Sequence, residues 1–206
     1  PIFEANNRMN DLTDWIINEV CIQLKDWQQD ELLPKQVAIN IPGPYLTSDR
    51  LMDVLKSTTK KYEISPKAIE LEITETSFVK TIAGAEKAVN EFCKAGFSVA
   101  LDDFGTGVSS LSYLKRIPVT TLKIDKSFID DVPASTKDAS IIKSVVQLGK
   151  SLNMEVVVEG VETEEQVQFL IEHCYAPHIQ GYYFAKPMKP DELLNWCRAY
   201  QTPVEA

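Results

Sequence analysis

The stretch Ile69-Glu70-Leu71-Glu72-Ile73-Thr74 alternates apolar and polar residues. A period of two puts Glu70, Glu72 and Thr74 on one face of a strand and Leu71 and Ile73 on the other. Thr121-Leu122-Lys123-Ile124-Asp125 repeats the device, with Thr121, Lys123 and Asp125 opposite Leu122 and Ile124. Outward from these two, four more short runs share one kind of ending: Val37-Ala38-Ile39 closes on Asn40, Val99-Ala100-Leu101 on Asp102 and Asp103, Val156-Val157-Val158 on Glu159, and His178-Ile179 on Gln180. Each run is followed by a turn signal and a helix-period stretch, so the chain reads as repeated βα units. In a closed barrel of such units the loops after the strands gather on one face, and polar residues at strand ends converge there. Strands of a parallel barrel normally read as continuous apolar runs. A polar inner face toward the strand ends therefore needs a reason, and a ligand-filled mouth supplies one.

The helical stretches fit the same units. Residues 11–27 carry Leu12, Trp15, Ile16, Val20 and Leu24 on one stripe, and Ser48 is placed to cap a second helix bearing Leu51, Val54 and Leu55. Residues 82–95 stop at Gly96, residues 138–152 form the next helix, and residues 163–173 open with a Thr163/Gln166 capping box. Pro190 starts a last helix through Leu193, Leu194 and Trp196.

No low-complexity linker divides the 206 residues, and 44% hydrophobic content suffices for one packed domain. The expected architecture is α/β, a TIM-like (β/α)8 barrel. Six strands are counted where such a barrel needs eight and roughly 250 residues. An open sheet leaves two unpaired edges, and the chain begins at Pro1-Ile2-Phe3 just before a helix. The expectation is a single domain over residues 1–206, N-terminally incomplete, with its first two strands missing.

Composition excludes several partners. With 21 Lys and Arg against 30 Asp and Glu the net charge is -9, which argues against duplex nucleic acid or an anionic membrane. Cys21, Cys93, Cys174 and Cys197 lie far apart in helix-period stretches, with neither zinc nor CxxC spacing, and read as reduced cytosolic thiols. No apolar run approaches the roughly 18 to 20 residues of a membrane span. The expected setting is cytoplasmic.

If Glu72, Asp102, Asp103 and Glu159 meet at the mouth, neighbouring carboxylates about 4 Å apart repel by about 4 kcal/mol at an effective dielectric near 20. They need cations. With the Asn40 amide oxygen they make an oxygen-only donor set, which suits magnesium or manganese, and adjacent aspartates can serve two ions. A binuclear hard-metal centre of this kind cleaves phosphate esters, and Lys123 would hold the water or stabilise developing charge. Taken singly, Asn40 reads as well as a turn residue and Glu75 as a solvated residue before a helix. Asp103-Phe104-Gly105 matches the kinase DFG, but no Gly-rich nucleotide loop or HRD-type loop accompanies it, and a kinase is rejected.

Leu71-Glu72-Ile73-Thr74-Glu75, Asp102-Asp103-Phe104-Gly105-Thr106-Gly107, Leu122-Lys123-Ile124-Asp125, Val158-Glu159-Gly160-Val161-Glu162 and Gln180-Gly181-Tyr182-Tyr183-Phe184-Ala185-Lys186-Pro187 resemble, in order, the motifs of the EAL-domain cyclic di-GMP phosphodiesterases. The resemblance implies a βα barrel that cleaves cyclic di-GMP to linear pGpG with two Mg2+ or Mn2+ ions. It implies that Asn40, Glu72 and Asp102 bind the first metal and that Asp102, Asp103 and Glu159 serve the second and its water. Lys123, Glu159 and Glu75 take catalytic roles, Glu75 by ordering the loop after Asp102-Asp103, and Gln180 and Asp125 bind substrate. A homodimer using that loop is implied, as is room for upstream sensor or diguanylate cyclase (GGDEF) domains and membrane tethering through them. The Glu-Ala-Leu-x-Arg stretch that names the family is absent from the 206 residues, and Asn40 is followed by Ile41-Pro42-Gly43 where the family has a serine two residues on. The expectation is weak metal binding and little turnover by these residues alone. The alternative function is a cyclic di-GMP receptor that binds without cutting, and a third is a purely structural interaction module.

Overall fold

Alternation and β-branching place the strands where the sequence puts them. In the computed structural model, which describes residues 8–30, 34–80, 82–107 and 114–201, β1 is Val37–Asn40, β2 Ile69–Thr74, β3 Ser98–Phe104, β4 Thr121–Ile124, β5 Glu155–Val158 and β6 His178–Ile179. The opening Pro1-Ile2-Phe3 lies outside the described residues. All six strands are parallel and stand in sequence order, β1-β2-β3-β4-β5-β6. That order marks an arc of a barrel, since a doubly wound sheet reverses its order at a switch point. The arc is open, with β1 and β6 at its edges.

Register fixes which side chains share a face. Asn40 pairs with Glu72, Thr74 with Asp102, Ala100 with Thr121, and Lys123 with Val157. Partners in a parallel ladder point the same way, so these residues line the concave face. The convex face carries Ile39, Leu71, Ile73, Val99, Leu101, Leu122, Ile124, Val156 and Val158, all buried. Burying each such side chain contributes roughly 1.5–3 kcal/mol.

The helices are α1 (Met9–Trp27), α2 (Gly43–Leu46), α3 (Asp49–Tyr62), α4 (Glu75–Lys80), α5 (Ile82–Lys94), α6 (Thr136–Leu152), α7 (Glu164–Phe169) and α8 (Pro190–Gln201), of which α1 packs on β1, α5 on β3 and α6 on β4 and β5. Their ends follow local chemistry. The Thr163/Gln166 capping box forms with both of its hydrogen bonds. Gly96 closes the turn after α5 at φ +95°, a conformation in which glycine has no Cβ clash. Three expectations are corrected. Helix α6 starts two residues early because the Ser135 hydroxyl accepts from the Asp138 amide. Ser48 occupies the N-cap position of α3 with extended backbone but makes no capping hydrogen bond. Asp49 in the first turn answers that helix's positive end instead. The expected helix over residues 163–173 is α-helical only to Phe169 and continues as a π-helical turn, Leu170–Cys174.

Helix α6 packs so closely on β5 that a Cβ added at Gly149 would stand 2.2 Å from Val156 Cγ2. In an open helix, Gly→Ala stabilises by about 0.5–1 kcal/mol. Forcing a methyl into a filled contact costs about 1–3 kcal/mol, so overpacking wins here. Gly149→Ala is expected to lower the urea midpoint without changing the slope, and a gain in stability would show that the contact relaxes freely.

Candidate active site

Lys123 rises from the concave face of β4 and is 6% exposed. Its Nζ lies 2.6 Å from Glu72 Oε1 on β2, 2.6 Å from Glu159 Oε1 just past β5, and 3.4 Å from Asp102 Oδ1 on β3. In a flat sheet, β2 and β5 would be separated by three strand spacings, roughly 14 Å. That both carboxylates reach one nitrogen shows how far the sheet curls, and the curl is what assembles the site.

The charges do not balance. One ammonium is shared by three carboxylates, two of them buried and Glu159 partly so. Burial alone would lower the Lys123 ammonium, but the hydrogen bonds it donates to Glu159 and Glu72, together with the charges of those carboxylates, outweigh burial and hold the lysine charged well above its ordinary range. Burial raises the Glu72 and Glu159 carboxyls, and the charge of Asp102 adds to this, although Lys123 opposes it. The lysine gains from the cluster while the acids still lack positive charge.

Asp102 and Asp103 sit where the β3–β4 register slips between Leu101 and Phe104. Such a bulge breaks strict alternation and re-aims side chains. Asp103 takes φ +54°, and its amide donates to Asp102 Oδ1 at 3.0 Å. A left-handed non-glycine residue costs of order 1 kcal/mol and is held there by its surroundings. Burial first, then the charges of Asp102 and Asp125, raise the Asp103 carboxyl.

Behind this loop, Glu75 opens α4 with no exposed surface. Its Oε2 accepts from the Gly105 amide at 3.0 Å, and a Cβ at Gly107 would lie 3.3 Å from its Cδ. The two glycines let backbone close over a buried carboxylate. Asp125 accepts from the Ser127 amide at 3.0 Å and caps the 3-10 turn Lys126–Phe128. Gln180 follows β6, exposed, and lines a cleft of about 610 Å3 with Glu159, Lys126, Glu162, Tyr182 and Lys186. Asn40 is exposed on edge strand β1, beside Glu72 in register.

The structure thus brings Glu72, Asp102 and Glu159 each to the Lys123 ammonium and sets Asp103 on the adjoining bulge. Glu75 supports the loop, Gln180 neighbours Glu159, and Asn40 stands at the rim. Among the described residues, no group of three or more His, Cys, Asp or Glu is arranged to hold a metal ion, and Glu72, Asp102 and Glu159 are each paired with the Lys123 ammonium. Sequence reasoning missed Thr121, which donates to Glu70 Oε1 at 2.6 Å one layer below. It also missed the Lys126–Glu162 pair at 2.5 Å. The alternation of β2 and β4 carried the signal for the first, since it put Glu70 and Thr121 on one face. Nothing in the sequence pairs Lys126 with Glu162.

An acid-rich, lysine-centred mouth lies at the strand C-terminal ends of an α/β barrel arc, the face on which barrels of this class carry their sites. The chain belongs to the EAL domain family, whose model matches residues 1–187. It is 37% identical over 93% of its length to the signaling protein YkoW of Bacillus subtilis, covering 24% of that protein. It is 35% identical over 96% of its length to the cyclic di-GMP phosphodiesterase NbdA of Pseudomonas aeruginosa, covering 25% of it. The chain therefore spans about a quarter of the length of these relatives. Among solved structures it resembles the PaMucR phosphodiesterase in its c-di-GMP complex, with a TM-score of 0.88 at 31% identity, covering 94% of this chain and 78% of that one. The six-stranded arc with its helices is thus the EAL barrel architecture. No helix among the described residues is long and apolar enough to cross a membrane.

Proposed function

We propose that this domain hydrolyses one phosphodiester bond of cyclic di-GMP, adding one water to give linear pGpG, with magnesium or manganese as its metal. The observation that carries the reading is the buried Lys123 ammonium holding Glu72, Asp102 and Glu159 at the strand ends. Relatives named as cyclic di-GMP phosphodiesterases support the substrate.

The donor set fits hard divalent cations in its chemistry. Asn40, Glu72, Asp102, Asp103 and Glu159 offer only oxygen, and three acids against one lysine leave negative charge unmatched. When bound, such ions supply charge neutralisation and a water of lowered pKa. The chain's own residues do the rest. Lys123 fixes the Glu159 and Glu72 carboxylates and can donate to a water or phosphoryl oxygen at the mouth. Glu159, the most open of the three acids, is placed to accept a proton from that water. Glu75 holds the Gly105 amide and with it the loop carrying Asp103, while Gln180 and Asp125 contact the nucleotide. The domain works in the cytoplasm as a homodimer beside sensor or diguanylate cyclase modules. The greater length of the relatives and the bifunctional name of MucR support the accompanying modules.

A second reading, a receptor that binds cyclic di-GMP without cutting it, is favoured by one observation. The same ammonium already engages both Glu72 and Glu159 at 2.6 Å, as a structural ion cluster would. Mass spectrometry of the nucleotide after incubation with magnesium and the full-length protein separates the readings. Gain of one water supports the hydrolase, and unchanged nucleotide that still raises the melting temperature supports the receptor. Unchanged nucleotide with no thermal effect would leave only an interaction module.

The cleft wall gives a further prediction. A Cβ at Gly181 would lie 2.0 Å from the Val161 carbonyl oxygen and 2.3 Å from its nitrogen, both backbone. No rotamer change relieves that clash, so Gly181→Ala must move the Gln180 loop away from Glu159. Calorimetric affinity for cyclic di-GMP is expected to fall at least about tenfold, the equivalent of about 1.4 kcal/mol. Unchanged affinity would show that this wall does not touch the ligand.

A further inference from the structure

We infer that Gln166 is a positioning residue that ties the loops after β4 and β5 into one block and so fixes Glu159 relative to Lys123. The inference rests on the hydrolase reading above. Gln166 lies in the first turn of α7 and is 6% exposed. Its Oε1 accepts from the amides of Thr163 at 3.1 Å and Glu162 at 2.8 Å, and its Nε2 donates to the Ile129 carbonyl at 3.0 Å. The capping box needs only the Thr163 contact. The other two reach outside the helix, to residues three past Glu159 and six past Lys123.

The block extends further. Val161, fully buried, donates its amide to the Gln180 carbonyl at 3.1 Å and accepts from the Tyr183 amide at 3.0 Å. One run of hydrogen bonds therefore joins the loops after β4, β5 and β6. Lys126 and Glu162 span the same gap, but their side chains are 49% and 47% exposed, and an exposed pair holds geometry weakly. The buried amide is the stronger tie, because a lost partner there leaves a backbone carbonyl unsatisfied away from water.

Gln166→Glu tests this selectively. A carboxylate keeps both acceptor contacts of the cap but presents no donor to the Ile129 carbonyl. Val146→Ala, a buried substitution in α6 outside these loops, serves as the control for lost stability. In the full-length protein, well below either melting temperature, Gln166→Glu is expected to lower kcat roughly 10- to 100-fold. KM should move less than about threefold, and amide exchange should speed up over residues 126–131 and 159–163. Val146→Ala should keep wild-type kcat. Wild-type kcat in Gln166→Glu, or an equal kcat loss in both variants, overturns the inference. If Gln166→Glu does not fold, Gln166→Met, which keeps the volume and removes all three contacts, should show the same kcat loss. If the wild type cleaves nothing, the hydrolase reading falls on its own, and unchanged exchange in Gln166→Glu then overturns the tie itself.

Discussion

Glu159→Gln is expected to abolish turnover while raising the melting temperature of the metal-free protein. Three acids share one ammonium, and burial raises the Glu159 carboxyl with the charges of Asp102 and Glu72 adding to the shift. A carboxyl raised in the folded state destabilises the fold where it is ionised, and the penalty is relieved as pH falls through its folded value. An isosteric amide removes the penalty at every pH. Its NH2 also gives Glu72 or Asp102 a donor. The gain should be on the order of a few °C, the shift that about 1 kcal/mol produces in a domain of this size. Turnover should drop roughly 10²- to 10⁴-fold, the usual worth of a positioned proton acceptor. Asp102→Asn should abolish turnover likewise. Wild-type rates in either variant would refute the site. A melting temperature that falls in Glu159→Gln, measured in a chelator, would show that the Lys123 pairing outweighs the crowding of the acids.

Lys123→Met should do the opposite to stability. Methionine reproduces the unbranched aliphatic stem but leaves Glu72, Asp102 and Glu159 without their shared cation. Removing one partner of a buried ion cluster costs about 3–5 kcal/mol. Losing the ammonium should also cost roughly 10³-fold or more in turnover. A double variant, Lys123→Met with Glu159→Gln, should recover part of the stability and none of the turnover, since the two side chains touch and their effects cannot add. If Lys123→Met is as stable as wild type, the acids are not short of positive charge and the electrostatic account fails.

Much of this was legible in the sequence, for physical reasons that differ by residue. Alternation in Ile69–Thr74 and Thr121–Ile124 places Glu72 and Lys123 on the same face, because a strand has a fixed period of two. Strand-end position then foretells that Glu72, Asp102, Lys123 and Glu159 meet. It does not foretell that the lysine sits between the acids, since that depends on curl and side-chain reach. The bulge at Asp102-Asp103 is invisible to periodicity, because the extra residue breaks the period of two that the reading relies on. Thr163/Gln166 reads as a capping box from spacing alone, yet the bond to Ile129 spans 37 residues and no local rule reaches it. Ser48 shows the converse: a residue type suited to capping stands in the right place and its hydroxyl makes no capping bond.

The most direct test of the central claim is chromatography of cyclic di-GMP incubated with the full-length protein, once with magnesium and once with a chelator. The account predicts linear pGpG with magnesium and intact nucleotide with the chelator. Intact nucleotide in both, from protein that still binds it, would contradict hydrolysis and leave the Lys123 cluster as the floor of a receptor.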